Sequence, residues 1–236
     1  MIKKKIVFTG GTGRFGTILK KEYDKSIFNI LFPSKKILNI LDEKSIKKYL
    51  VAKKPKYLIH AAALSRPMSL HNSNISKSID LNIIGTSNIT KICSQLKIKL
   101  IFISTSYVYP GEKGNYLESD PIRPINNYGL SKMGGEAAVQ MYKNSLIIRA
   151  SMTEKPFIHK KGYTNLYSNY MFHEDLAKIL PKLVNKFGII NVGGKSQSVY
   201  NFGKFHNRKI VKSLCRDKNL PLKQTMNLEK LKKILK

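Results

Sequence analysis

Tyr128 and Lys132 stand four residues apart in the run Tyr128-Gly129-Leu130-Ser131-Lys132, a spacing that puts a phenol and an ammonium on one face of a helix. A phenol with a reference pKa of about 10 is a poor acid or base at neutral pH, and a nearby cation would stabilise the phenolate and lower that value. Tyr128 could then exchange a proton with a carbonyl or alcohol oxygen while a hydride moves to or from a nicotinamide, whose ribose Lys132 could hold. A third group belongs with them. The apolar run from Lys99 to Ser104 leads into Thr105, Ser106 and Tyr107, so hydroxyls emerge at the C-terminal end of a strand, where α/β sheets bind ligands. Thr105 would hydrogen-bond the substrate oxygen and help polarise it. Ser106 and Tyr107 would face the substrate.

Such a site needs a place for the nicotinamide cofactor, and the first strand leads into one. Thr9-Gly10-Gly11-Thr12-Gly13-Arg14-Phe15-Gly16 lies between an apolar run and an amphipathic segment, the context that the dinucleotide fingerprint demands. Gly10 permits the tight turn, Gly13 lets the backbone approach a pyrophosphate, and Gly16 lets helix and strand pack closely. Thr12, Arg14 and Phe15 complete this cofactor loop, and the helix N-terminus receives the phosphate charge. After the second strand, where an acidic side chain would hold the ribose of NAD, the sequence has Ser34-Lys35-Lys36. With Arg14 these cations point to the extra phosphate of NADP. NAD is the alternative, because Lys is abundant throughout.

Short runs rich in Ile, Val and Phe alternate with longer stretches of helical period, the pattern of repeated βα units around a parallel sheet. The strands are expected at 5–9, 28–32, 57–61, 99–104, 146–149 and 189–192. Helices are expected at 15–23, 43–52, 76–96, 128–142, 173–186, 199–214 and 228–235, the last preceded by Pro221 with Asn227 as its cap. The fold class is therefore α/β, a Rossmann doubly wound parallel sheet with helices on both faces and a small C-terminal lobe. We place the NAD(P)-binding domain at residues 1–150 and a small substrate-binding lobe with returning elements at 151–236. A loop-like stretch at 151–169 could cover the mouth of the site. No internal repeat is evident.

The formal charge is +29, from 43 basic and 14 acidic residues. Lys supplies 37 of the basic residues and Arg six, spread over the whole chain, which lacks the clustered Arg and interleaved aromatics of a nucleic-acid reader. Neither nucleic acid nor a membrane is expected as a partner. Cys93 and Cys215 sit in contexts that read as helix interiors, without a CxxC or a His cluster, so no metal site is expected. The basic start Met1–Lys5 is followed by an apolar run too short for a signal peptide, and no stretch approaches a membrane span. A cytoplasmic location is the expectation. His173, Glu174 and Asp175 read as the acidic opening of a helix, and Tyr163, Tyr167 and Tyr170 as anchors of their loop or as stacking partners for a base.

The phosphate loop, His60-Ala61-Ala62-Ala63, Asn82-Ile83-Ile84-Gly85-Thr86, Ser104-Thr105-Ser106-Tyr107-Val108-Tyr109 and Tyr128-x-x-x-Lys132 together resemble the extended short-chain dehydrogenase/reductase family. Within it the chain is similar to the dTDP-4-dehydrorhamnose reductase branch, whose members reduce a 4-keto nucleotide sugar with NAD(P)H. Leu146-Ile147-Ile148-Arg149-Ala150-Ser151 and Ile190-Asn191-Val192-Gly193-Gly194 are similar to that branch too. The resemblance implies that Thr105, Tyr128 and Lys132 are the catalytic triad, that Asn82 lies on the helix supporting Lys132, and that Ala61, Ala62 and Ala63 form a wall along the cofactor. Asn39 and Ile40 would meet the adenine, at a turn where relatives often carry an acid. Arg66, Arg149 and Lys155 are the candidate substrate cations, with Lys160 and Lys161 further out. The branch usually has Asp where this chain has Ser106, and related dehydratases carry an acidic pair there for water elimination. Reduction or epimerisation of a nucleotide-sugar substrate therefore remains, alongside a dinucleotide-binding sensor or scaffold without turnover. A homodimer is implied by pairing of the long helices.

Overall fold

The computed structural model describes residues 3–236, so Met1 and Ile2 of the basic start lie outside the described residues. The six expected apolar runs form six strands: β1 Lys4–Thr9, β2 Phe28–Leu31, β3 Tyr57–His60, β4 Lys99–Thr105, β5 Ser145–Ala150 and β6 Gly188–Val192. They pair in the order β6-β5-β4-β3-β1-β2, parallel throughout. Residues such as Leu58, Ile59, Leu100 and Ile101 are buried because helices cover both faces, which is why these strands read as continuous rather than alternating apolar runs.

On one face α1 (Arg14–Glu22) and a later helix, His173–Leu183, bury Phe15, Leu19, Leu176 and Leu180 against the sheet. On the other, α2 (Glu43–Lys53) and α3 (Gly85–Gln95) contribute Ile46, Leu50, Ile89 and Ile92. Asp42 caps α2 by accepting from the Lys44 and Ser45 amides, the usual remedy for unpaired amides at a helix start. Helix α4 (Asn127–Gln140) follows β4, and Asn126 caps it through the Gly129 amide. A Cβ on Gly129 would stand 2.4 Å from the Tyr107 carbonyl oxygen. Glycine here lets α4 pack directly on the turn that ends β4, which brings Tyr128 to Thr105.

The segment expected as one helix over 76–96 is instead Ile75–Ile79, a π-helical turn Asp80–Ile84, and α3. The widened turn carries Asn82, whose buried side chain bonds Leu64 and Ser131; such turns cluster at functional sites. The helix expected over 199–214 ends at His206. The chain then turns back so that Ile210 packs against Gly162 and Gly203, and Val211–Ser213 pairs with Lys161–Tyr163 as a short parallel ladder. Cys215 thus lies in a loop, where its amide donates to Asn165 Oδ1 at 2.8 Å. These elements share a separate cluster, including Phe157, Phe172, Phe202 and Ile210. The last helix, Glu229–Leu235, has Leu228 rather than the expected Asn227 at its N-cap position, although the Asn227 side chain accepts from the Glu229 amide at 3.0 Å. Among the described residues no helix is long and apolar enough to cross a membrane.

Candidate active site

The C-terminal ends of β1, β3, β4 and β5 open onto one cleft of about 590 Å³, lined by the phosphate loop, Ala61 to Ala63, Thr105 to Tyr107, Tyr128 and Lys132. At its floor Gly10 takes φ +87°, and a Cβ there would stand 2.7 Å from the Ala62 nitrogen; only glycine lets the loop and the alanine segment meet so closely. A Cβ on Gly16 would stand 2.4 Å from the Gly10 carbonyl oxygen, whereas one on Gly13 would meet only that oxygen, at 3.2 Å. Gly16 is thus needed for packing, and Gly13 leaves open backbone at the start of α1. These residues fit a dinucleotide: a pyrophosphate would lie over Gly13 at the helix N-terminus, with the adenine end toward Leu38, Asn39 and Ile40, which also line the cleft.

Thr105, Tyr128 and Lys132 line the same cleft. The Lys132 ammonium is buried, donates to the Ile103 carbonyl oxygen at 2.8 Å and sits 4.0 Å from the centre of the Phe102 ring. Burial pulls its pKa down to about 7, partly opposed by Glu136. Tyr128 is flanked by the Tyr107 ring at 5.6 Å and the His71 ring at 5.1 Å. The expected lowering of its pKa does not occur. Burial of the phenol raises it, outweighing the hydrogen bond with Thr105 and the charges of Arg66 and Arg14. In this state Tyr128 remains a protonated donor.

The other predicted residues divide clearly. Thr12, Arg14, Phe15, Lys35, Asn39, Ile40, Arg66, Ser106 and Tyr107 line the cleft; Ser34, Asn82, Arg149 and Lys155 are not among its lining residues. Ser34 closes the turn before Asn39 through its carbonyl, which accepts from the Ile37 and Leu38 amides. Asn82 accepts from the Leu64 amide at 2.7 Å and donates to the Leu64 carbonyl and the Ser131 hydroxyl. It ties the segment after the alanine wall to the helix that bears Lys132. Arg149 is buried in an ion pair with Glu136 at 2.9 Å and donates to Tyr109, which leaves it no guanidinium edge for a substrate in the cleft. Lys155 is exposed, its ammonium 5.9 Å from the Phe172 ring centre.

Three residues of consequence carried no signal that spacing could reveal. Glu154, in the stretch that follows β5, receives Arg14 and Arg66 together, each at 3.0 Å, while Arg14 also donates to Ser65. Burial works against its charge, but Arg66 and Arg14 hold the carboxyl below its ordinary value. His60 is wholly buried, its ring nitrogens 2.7 Å from Thr9 Oγ1 and 3.1 Å from Thr86 Oγ1. Gln224 reaches back from the C-terminal segment to accept from Ser106 at 2.8 Å. Of Tyr163, Tyr167 and Tyr170, the last lines the cleft, as does His173. Asp175 accepts from the Phe172 amide at 3.0 Å as part of the helix start.

A six-stranded parallel sheet, a glycine loop after β1 and a Thr, Tyr and Lys set at the strand ends are the architecture of the extended short-chain dehydrogenase/reductases. More particularly, the chain belongs to the RmlD substrate binding domain family, which matches residues 4–158. It is similar to methionine adenosyltransferase 2 subunit beta of Xenopus laevis, 32% identical over 188 residues that cover 75% of this chain and 55% of that protein. It is also similar to the spore coat polysaccharide biosynthesis protein SpsK of Bacillus subtilis, 29% identical over 150 residues, 62% of this chain and 52% of that one. The chain thus spans about half the length of the curated relatives it matches. Among solved structures, dTDP-4-dehydrorhamnose reductase from Bacillus anthracis in complex with NADP superposes with a TM-score of 0.88, at 22% identity, over 98% of this chain and 92% of that one.

Proposed function

We propose that the chain reduces a keto group on a nucleotide-activated sugar at the expense of NADPH or NADH, with Tyr128 as the proton donor. The observation that carries this reading is the single cleft in which a phosphate-loop glycine cradle runs to Thr105, Tyr128 and Lys132. The reduced nicotinamide would supply the hydride. Everything else falls to this chain. Thr105 fixes the carbonyl oxygen, and Tyr128, kept protonated by burial, delivers a proton to that oxygen as charge develops on it. Lys132 holds the cofactor ribose and, when charged, supports the phenolate left behind. The open backbone at Gly13 would take the pyrophosphate, and Lys35, which lines the cleft with Leu38, Asn39 and Ile40, would take an extra phosphate.

The lobe at residues 151–236 would supply the sugar side. Names of two similar proteins support two different settings. SpsK belongs by name to polysaccharide biosynthesis, in keeping with a nucleotide-sugar substrate. The other relative is by name a subunit of a methionine adenosyltransferase, in keeping with a second reading in which this chain binds a dinucleotide at the phosphate loop and serves as a non-catalytic scaffold. Consumption of NADPH with a panel of 4-keto nucleotide sugars separates them: the reductase turns over and Tyr128→Phe does not, whereas the second reading gives binding of NADPH alone. Epimerisation would instead convert a sugar nucleotide with no net loss of NADPH.

A further inference from the structure

Beside Tyr128 lies a polar cluster for which the proton-transfer steps have no use. Ser106, directly after Thr105 and lining the cleft, donates to Gln224 Oε1 at 2.8 Å. Gln224 is wholly buried, and its amide nitrogen Nε2 has no hydrogen-bond partner. Buried amides are nearly always satisfied, so one left unmatched marks a role that packing alone does not give it. The backbone around it is firmly placed. The Lys223 amide donates to the Gly111 carbonyl at 2.8 Å, the Gln224 amide to the Tyr167 carbonyl at 3.2 Å, and the Met226 amide to Asn169 at 2.6 Å.

Two phenols, Tyr107 and Tyr170, line the cleft with Ser106, and Tyr107 follows Ser106 directly in the chain. Burial pushes both phenols up, so they stay neutral and can each donate and accept. No carboxylate takes part in this cluster; Ser106 occupies the position next to Thr105. Neutral donors and acceptors in a desolvated wall suit hydroxyl groups, while Arg66, whose charge reaches both phenols, is paired with Glu154.

We infer that Gln224 is the positioning residue of a neutral, hydroxyl-recognising subsite whose contact groups are Tyr107 and Tyr170, and that this subsite takes the ring hydroxyls of a nucleotide-linked sugar beside Tyr128. This rests on the nucleotide-sugar reading above, so its test is one of binding, kept separate from turnover. Calorimetry in the presence of NADP+ compares dTDP-glucose with dTDP, and UDP-glucose with UDP, on wild type, Gln224→Met and Gln224→Glu. The wild type binds at least one sugar nucleotide about tenfold more tightly than its free diphosphate, the worth of one or two hydrogen bonds. Gln224→Met abolishes that increment while leaving the diphosphate and NADP+ affinities within about twofold. Gln224→Glu, which keeps the acceptor for Ser106 but lacks the amide donor, loses the increment as well; Tyr107→Phe and Tyr170→Phe each lose part of it. The inference fails if the wild type shows no sugar increment, if Gln224→Met retains it, or if diphosphate and NADP+ affinities fall in parallel with it. Failure of the reductase reading looks different: the sugar increment and its loss in Gln224→Met persist, but no keto sugar consumes NADPH.

Discussion

Replacing Glu136 by Gln strands a charge in the centre of the molecule, and the contacts fix how much that costs. Glu136 is wholly buried, and its carboxylate receives Arg149 Nε on both oxygens at 3.2 Å and Arg149 NH2 at 2.9 Å, with Ser104 donating as well. Arg149 is itself 2% exposed, with Tyr109 as a further partner. Breaking a buried pair from one side costs about 3–5 kcal/mol, because the remaining ion stays desolvated. For a chain of this size about 2–4 °C of melting temperature accompanies each kcal/mol, so Glu136→Gln melts roughly 6–20 °C below wild type. The double variant Glu136→Gln with Arg149→Met removes the stranded guanidinium and recovers at least half of the loss. Thermal melts followed by circular dichroism at pH 7.5, on the two single variants and the double, give the cycle. A single-variant loss under about 1 kcal/mol, or losses that simply add in the double variant, would refute the idea that this pair acts as one buried unit beneath β4 and β5.

Other outcomes follow from the titrating and cleft groups. Burial, with Lys132 assisting, lowers the His60 pKa to about 3. Because the folded value lies below the unfolded one, this stability is present above about pH 6.5 and lost as pH falls from there toward 3, a decline on the order of 5 kcal/mol; urea titrations across that range should show it, and His60→Asn should flatten it. Lys132 loses its proton as pH rises through about 7, so kcat/KM for reduction should fall above neutrality, and a rate that stays flat to pH 9 would contradict the assigned role. Glu154→Gln removes the carboxylate that holds Arg14 and Arg66, and NADP+ titrations should show affinity rising about fivefold; weaker binding would mean that Glu154 instead aligns the arginines for the ligand. Gly13→Ala should weaken dinucleotide binding while melting near wild type, whereas Gly16→Ala, with its Cβ 2.4 Å from the Gly10 oxygen, should lower the melting temperature itself.

The sheet was legible because its central strands are buried on both faces, so runs such as Lys99–Thr105, with every residue buried, announce themselves by composition alone. The phosphate loop and the Tyr128/Lys132 pair were legible because their chemistry depends on fixed local spacing. What escaped depends on contacts distant in sequence. The π-helical turn at Asp80–Ile84 leaves the apolar rhythm of its helix almost unchanged, yet it seats Asn82 against Leu64 and Ser131. Nothing near Glu154 shows that Arg14 and Arg66 converge on it, 140 and 88 residues away along the chain. Arg149 lies beside the site in sequence and was read as a substrate cation, but a buried acid on α4 takes it first. The stretch after His206 kept a helical period, although Asn207 turns the chain there, its side chain accepting from the Lys209 amide at 3.1 Å and its carbonyl from the Ile210 amide at 3.2 Å.

The most direct measurement is loss of absorbance at the NADPH band on adding a 4-keto nucleotide sugar to the wild-type chain and to Tyr128→Phe. Turnover by the wild type is expected, with a loss of at least a hundredfold in the variant and unchanged NADPH affinity in both. Tight NADPH binding with no turnover by the wild type on any member of the panel, or equal rates in the two proteins, would rule out reduction with Tyr128 as proton donor.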